Sequence, residues 1–290
     1  MISQVSESAR AKVNLTLRII GRRSDGYHAL QSLVVFADIA DQLVLTPGGE
    51  FALHVTGPFA QKIEGGNLIQ LVCERVLDSY PGMRAGSFHL EKNLPVAAGI
   101  GGGSADAAAA LRTINFANPE VSTAIDWMKL AASIGADVPV CYVGRSSLME
   151  GIGEIVRLVF GMPEFSLLLV NSGVQISTAE IFRRLNAPSI NQADEVDAPF
   201  IGQKLPSFEA MVDLMRNVGN DLEEPALELC PGIADIKSEI AHQDGCAHAA
   251  LSGSGATCFG VFQTHALAVE AERRMAAAHP SWWVKAARVV

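Results

Sequence analysis

The sequence predicts an α+β fold in two domains, on three observations. The chain has 290 residues, close to twice the roughly 150 of a common domain. Its first hundred residues are rich in strand patterns, whereas strand and helix patterns interleave through its second half. Between them, at Arg145–Gly161, glycines cluster and periodicity fails. The boundary is placed there, giving a first domain of residues 1–161 and a second of 162–290.

The elements follow in order. From Ala9 to Ile20, Val13, Leu15, Leu17 and Ile19 alternate with Lys12, Asn14, Thr16 and Arg18, the period-two pattern of a half-buried strand. Lys12 and Asn14 then share one face. Arg22-Arg23-Ser24-Asp25-Gly26 is a turn centred on Asp-Gly. Ser32–Ala37, Gln42–Thr46 and Phe88–Glu91 read as further strands, and Asn67–Ser79 carries apolar residues at helical spacing. A glycine-rich run leads into an alanine-rich helix through Asn115, the best helix former in the chain. A helix at Thr123–Ile134 has a capping-box-like Thr123 and Asp126, with Gly135 just past its end.

In the second domain the expected strands are Ser166–Asn171, Ala247–Leu251, Cys258–Phe262 and Trp283–Val289. The expected helices are Thr178–Leu185, Phe208–Val218, Ile233–Gln243 and Ala266–Ala278, with an exposed loop at Ala187–Pro206.

Composition narrows the function. Hydrophobic residues make up 49% and charged residues 18%, enough for a core and too apolar for disorder. A net charge of −9 without a basic cluster argues against nucleic-acid or anionic-membrane partners. No apolar run reaches the ~18 residues of a membrane helix, and Met1–Glu7 has neither a basic head nor an apolar stretch, so a cytoplasmic location is expected. The five cysteines are scattered and read as reduced core thiols, and the seven histidines lack metal-ligand spacing.

The strongest local signal is Gly99-Ile100-Gly101-Gly102-Gly103-Ser104. So many glycines imply left-handed backbone or close backbone approach. Amides gathered at a helix start form a ready phosphate site, although a tight strand-to-helix turn would also use this composition. No Lys follows the last glycine, as a Walker loop requires, and the dinucleotide pattern fails because its third glycine falls on Ser104.

What fits is Pro95-x-x-x-Gly99-Ile100-Gly101, which resembles the second motif of the GHMP kinase superfamily. Ala11-Lys12-Val13-Asn14-Leu15 and the Gly21–Ser32 stretch resemble, within that superfamily, the signature of the 4-diphosphocytidyl-2-C-methyl-D-erythritol kinase family. So do Gly99–Asp106, Gly135-Ala136-Asp137-Val138-Pro139, Asn220-Asp221-Leu222-Glu223 and Leu251–Thr257. The resemblance implies the two-domain GHMP kinase fold, with a β-rich nucleotide-binding N-terminal domain and a C-terminal α/β sandwich with ferredoxin-like features. It implies ATP-dependent phosphorylation of a methylerythritol 2-hydroxyl in the non-mevalonate isoprenoid pathway. The partners would be ATP and a cytidine diphosphate-linked small molecule.

The resemblance also assigns residues. Asp137 becomes the general base and Lys12 the charge that stabilises the transferring phosphoryl group; on spacing alone, Asp137 is a helix N-cap and Lys12 a solvated strand lysine. ATP would be held by Pro95, Val96, Ala97, Ala98, Gly99, Ile100, Gly101, Gly102, Gly103, Ser104 and Ala105, with Asn67 near the adenine and Lys92 near the nucleotide. Asn67 reads equally as an ordinary N-cap. The substrate would meet Asn14, Thr178 and the Gly253-Ser254-Gly255 loop, which by itself reads as a hairpin turn. Tyr27 would stack on the cytosine, His28 would hydrogen-bond the base, and Phe182 would close the sandwich, or all could be packing groups. Gly102 and Gly103 stand where the superfamily commonly has Ser-Ser, and Ala105 where the family usually has Ser. No side-chain ligand to Mg2+ is therefore assigned, the ion being expected on ATP phosphates and water. Two alternatives stand beside this reading: another GHMP-type small-molecule kinase, and a non-catalytic ligand sensor on the same fold.

Overall fold

The structure is a computed structural model that describes residues 4–63, 65–190 and 207–290. In chain order the elements open with β1 (Val5–Asn14), β2 (Arg18–Arg22), β3 (His28–Pro47), β4 (Ala52–Thr56), α1 (Leu68–Ser79) and β5 (Gly86–Glu91). Next come α2 (Gly102–Ala117), α3 (Trp127–Ile134), α4 (Val138–Val143), β6 (Ser147–Gly151), β7 (Ile155–Leu158) and β8 (Ser166–Asn171). The rest are α5 (Thr178–Arg184), α6 (Phe208–Val218), α7 (Glu223–Leu229), α8 (Gly232–Ala241), β9 (Cys246–Leu251), β10 (Cys258–Phe262), α9 (His265–Ala278) and β11 (Trp283–Arg288). No helix among the described residues is long and apolar enough to cross a membrane.

The chain packs as two compact units, each assembled from separated stretches. The first draws on the chain up to Ala11, on Ile39–Val96 and on Gly101–Gly144. Here the second half of β3 runs antiparallel to β5, setting Leu43 against Leu90 and Leu45 against Phe88, all fully buried. β4 adds to β5 in parallel. Helix α1 buries Ile69, Val72, Cys73 and Val76 along one stripe, while α2 packs against α1, α3 and α4. Burial pushes the Cys73 thiol up to about 12, which keeps it protonated and inert.

The second unit comprises Lys12–Asp38, Ala97–Ile100 and Arg145–Val290. The first half of β3 pairs antiparallel with β2 and with β6, and β6 with β7. A separate sheet has the order β11-β8-β10-β9. Its strands enter the chain as β8, then β9 and β10, then β11 after α9, which is the ferredoxin-like arrangement. All six residues of β8 are buried, so both faces are covered and the strand reads as a run, Leu167-Leu168-Leu169-Val170, rather than an alternation. Ile233, Ile236 and Ile240 of α8 and Ala268, Ala271 and Met275 of α9 share a core with Leu168, Val170 and Phe262.

Several expectations need correction. The strand expected over Ala9–Ile20 stops at Asn14 and resumes at Arg18, because Leu17 turns aside to bond Gly219 and Asp221 through its backbone. Most of its polar side is not solvated: Lys12, Asn14 and Thr16 are 3%, 1% and 1% exposed, and Arg18 is exposed. Ser32–Ala37 and Gln42–Thr46 are one strand, since Asp38-Ile39-Ala40-Asp41 contains neither Gly nor Pro to break it. Helix α3 begins at Trp127 with Asp126 as its cap, accepting from the Lys129 amide, so Thr123 plays no capping part. β4, β6, β7 and α7 were not anticipated, and α4 only through the reading of Asp137 as a cap. Most of the loop expected at Ala187–Pro206, residues 191–206, lies outside the described residues.

Candidate active site

In the first unit the site residues gather at the start of α2. Gly101, the N-cap, is left-handed with φ 63° and offers no side-chain cap. The first intrahelical bond runs from the Ala105 amide to the Gly101 carbonyl at 2.8 Å, so the amides of Gly102, Gly103 and Ser104 have no acceptor within the helix. Together with about half a positive charge from the helix dipole, they suit an anion. There is room for one: a Cβ on Gly103 would meet only Leu68 Cδ1, at 3.8 Å. Ala105 is buried, whereas Ser104 is partly exposed.

Below this helix start lies a charged cluster. The Lys92 ammonium donates to Asp106 Oδ2 at 2.6 Å and also bonds Asp41 Oδ2. Asp41 Oδ1 accepts from the Leu94 amide at 2.8 Å and from the Asn93 amide. Lys92, Asp41 and Asp106 are 3%, 0% and 3% exposed. Removing one partner from such a buried set costs about 3–5 kcal/mol, since a charge is stranded. Burial holds the Asp106 carboxyl well above its ordinary range; Lys92 opposes this and Asp41 adds to it. Sequence reasoning missed Asp41 and gave Asp106 no role. It placed Lys92 near the nucleotide, whereas its cation is buried between the two carboxylates.

Asn67 is the N-cap of α1, its side chain accepting from the Ile69 amide at 2.9 Å. The capping reading of Asn67 thus holds. Asp137 is half-buried at the N-cap position of α4, yet makes no side-chain capping bond there. Pro95 and Val96 complete this unit's share of the expected residues.

In the second unit, Ala97–Ile100 runs against the loop between β9 and β10. The Thr257 amide donates to the Ala98 carbonyl at 3.1 Å, and the Lys12 amide to the Ile100 carbonyl at 2.9 Å. Gly99 has φ +74°, and a Cβ there would fall 2.5 Å from the Ser252 carbonyl oxygen and 2.6 Å from that of Gly255. Its glycine is required by backbone packing between the two glycine loops.

Asn14 joins the same group. Its amide nitrogen Nδ2 donates to Ser32 Oγ at 2.7 Å and its backbone amide to Ser252 Oγ at 3.2 Å. Asn14 Oδ1 is buried without a hydrogen-bond partner, and a Cβ on Gly253 would lie 3.1 Å from it. The hydroxyls of Thr178 and Ser254 are 2.7 Å apart, and the Asn220 Nδ2 group donates to the carbonyls of Leu251 and Gly253 at 2.9 and 2.8 Å. The Gly253-Ser254-Gly255 loop is therefore fastened from four sides, by Asn14, Gly99, Thr178 and Asn220.

The aromatic residues form a separate group. His28 and Phe182 have ring centroids 5.0 Å apart, within aromatic packing range. Tyr27 stands 59% exposed just past the turn, which is tied by Asp25 Oδ1 accepting from the Tyr27 amide at 3.1 Å. Phe182 lies beside His28. Burial, helped by Arg22, lowers the His28 pKa, so the ring is neutral at neutral pH.

Comparisons with known proteins bear on this arrangement. The family description "GHMP kinases N terminal domain" matches residues 67–145, and "GHMP kinases C terminal" matches 202–281. A protein of Parvibaculum lavamentivorans named 4-diphosphocytidyl-2-C-methyl-D-erythritol kinase is 45% identical over 98% of both chains. One of the same name from Rhodopseudomonas palustris is 43% identical, over 98% of this chain and 95% of its own. A crystal structure of 4-(cytidine 5'-diphospho)-2C-methyl-D-erythritol kinase superposes with a TM-score of 0.73 at 29% identity, covering 98% of this chain and 99% of that one. A homoserine kinase from Cytophaga hutchinsonii, 16% identical with a TM-score of 0.67 over 100% of this chain and 96% of its own, shares the fold alone. With end-to-end identity well above 40% and both domains matched, the chain belongs to the 4-diphosphocytidyl-2-C-methyl-D-erythritol kinase family and is an ATP-dependent small-molecule kinase of the GHMP type.

Proposed function

We propose that this kinase transfers the γ-phosphoryl group of ATP to the 2-hydroxyl of 4-diphosphocytidyl-2-C-methyl-D-erythritol, a step of the non-mevalonate isoprenoid route. The observation that carries the reaction class is the uncapped start of α2, whose first-turn amides open toward room for a phosphate. The acceptor comes from the named relatives, which match over nearly the whole chain.

Phosphoryl transfer needs a positioned alcohol and compensation for charge developing on the moving group. In this reading Asp137 takes the proton of the 2-hydroxyl while its oxygen forms the new bond to the γ-phosphorus. The bond from that phosphorus to the β–γ bridging oxygen breaks, and ADP leaves. Lys12 offsets charge developing on the phosphoryl oxygens. Asn14 Oδ1, an acceptor with no partner, is available to a hydroxyl of the substrate. Tyr27, with the neutral His28 and Phe182, receives the cytosine. Residues 1–161 would then carry the nucleotide, and 162–290 would contribute to the substrate site.

Mg2+ accompanies ATP in this chemistry. Gly102, Gly103 and Ala105 stand where side-chain hydroxyls would otherwise be, and the ion is assigned to phosphates and water. Release of ADP measured with the cytidyl substrate, and with the same alcohol lacking cytidine, tests the proposal. Turnover confined to the cytidyl compound is expected; equal turnover of both would favour another GHMP kinase, and none with either a sensor.

A further inference from the structure

The Lys92–Asp106 pair flanks the entire segment expected to hold the nucleotide. Lys92 precedes Pro95 by three residues, and Asp106 directly follows Ala105. The pair closes that segment at its base, with 2.6 Å between ammonium and carboxylate. Each end of the closure is separately fixed. The Lys92 amide donates to the Thr56 carbonyl at 2.8 Å, and its carbonyl accepts from the Phe59 amide at 3.2 Å. Asp41, from the middle of β3, binds the ammonium and the two backbone amides that follow Lys92. On the other side, Asp106 lies in the second turn of α2 and can move only with the helix.

The ammonium sits directly under the helix start. A Cβ on Gly102, the first residue of α2, would lie 3.3 Å from Lys92 Nζ. Oxygens of Asp41 and Asp106 hold the group, and Lys92 is only 3% exposed, so its charge is not presented to solvent.

We propose that Lys92 is a positioning residue, which acts on ATP by holding the first turn of α2 through Asp106 and Asp41, without touching the nucleotide. This rests on the assignment of ATP to that helix start. Asp106 is then as necessary as Lys92, although no acidic residue would be a direct ligand for phosphate. Only an oxygen facing the ammonium is required at position 106, so asparagine suffices there.

The test measures thermal stability, kcat and the KM for ATP in Lys92→Met, Asp106→Leu and Asp106→Asn. Misplacing the amides raises the KM for ATP by about tenfold or more in Lys92→Met and in Asp106→Leu, while Asp106→Asn stays within about twofold of the parent. The triple variant Asp41→Asn, Lys92→Met, Asp106→Leu leaves no charge of the cluster stranded, and it carries the same expectation should either single variant not fold. A KM that rises in Lys92→Met but not in Asp106→Leu means direct contact with ATP and overturns the proposal. So do lowered melting temperatures with an unchanged KM, which mean a purely structural pair. Binding of ATP to the parent protein, measured by calorimetry, separates the two levels. If the parent does not bind ATP the nucleotide assignment itself fails, whereas normal binding in the parent and in every variant removes the positioning role alone.

Discussion

Ser252 Oγ donates to the carbonyl oxygen of Gly99 at 3.0 Å, joining two glycine loops that are 153 positions apart in the chain. The backbones are close enough that a methyl group on Gly99 would overlap the carbonyl oxygens of Ser252 and Gly255. Gly99→Ala is expected to cost about 2–4 kcal/mol, from overpacking added to a left-handed φ. Denaturant melts of the variant check this; a loss below about 0.5 kcal/mol would show that the loops yield freely.

Gly103 is the contrasting case. It is helical, and a Cβ there would sit 3.8 Å from one leucine methyl. Gly103→Ala should leave stability unchanged or raise it by up to about 1 kcal/mol. It should also raise the KM for ATP, because the methyl group stands where phosphate approaches the backbone. An unaltered KM would move the phosphates away from the first turn of α2.

Tyr27 is mostly exposed, so Tyr27→Ala should not disturb the fold. Loss of stacking on a base amounts to about 1–3 kcal/mol, or roughly five- to 150-fold in affinity for the cytidyl substrate. ATP affinity should be unchanged. Equal losses for both ligands would end the stacking argument.

Asp137→Asn keeps the side-chain shape and removes the base. Turnover should fall by about 10²–10⁴-fold with ATP binding nearly intact. Rapid-quench measurement of a single turnover isolates the step. A variant within threefold of the parent would place the base elsewhere.

Asp106 gives a pH dependence of known sign. Burial, against the pull of Lys92 and with the push of Asp41, raises its carboxyl from 3.8 to about 8 in the folded chain. The folded state therefore holds a proton that the unfolded state releases. That contribution to stability is full below pH 3.8 and is lost as pH rises through about 8. Asp106→Asn mimics the protonated form at every pH. Its melting temperature relative to the parent should climb between about pH 4 and about pH 8 and level off above. A constant difference across that range would mean that the carboxylate is ionised throughout.

Most of the fold was legible in the sequence where chain chemistry is local. β8, α6 and β10 begin and end at the residues read from the sequence, because each is a compact apolar run or an amphipathic period bounded by turn or cap residues. Illegibility began where distant contacts decide. The short strands β6 and β7 sit among glycines and take their shape from pairing with β3 and with each other.

The site divides the same way. The glycine run announced a helix start with open amides, and the left-handed Gly101 supplies one. Asp41 carried no signal: it is one acid between two apolar runs, and its partners Lys92, Asn93 and Leu94 come more than fifty residues later. The alternation at Lys12 and Asn14 gave their shared side correctly but not its burial, because a period of two marks faces and cannot say which of them the rest of the chain will cover. Asn67 shows the reverse, a residue whose plain local chemistry as a cap was enough to place it.

Ala107, Ala108, Ala109 and Ala110 of α2 are all fully buried, so this stretch of the helix is enclosed on every side. Alanine is what lets three other helices press so near, and it leaves no long side chain able to swing into a second arrangement. The helix is in effect an anvil. It cannot roll or slide to follow an arriving ligand, so adaptation to differently sized guests has to come from the segments around it.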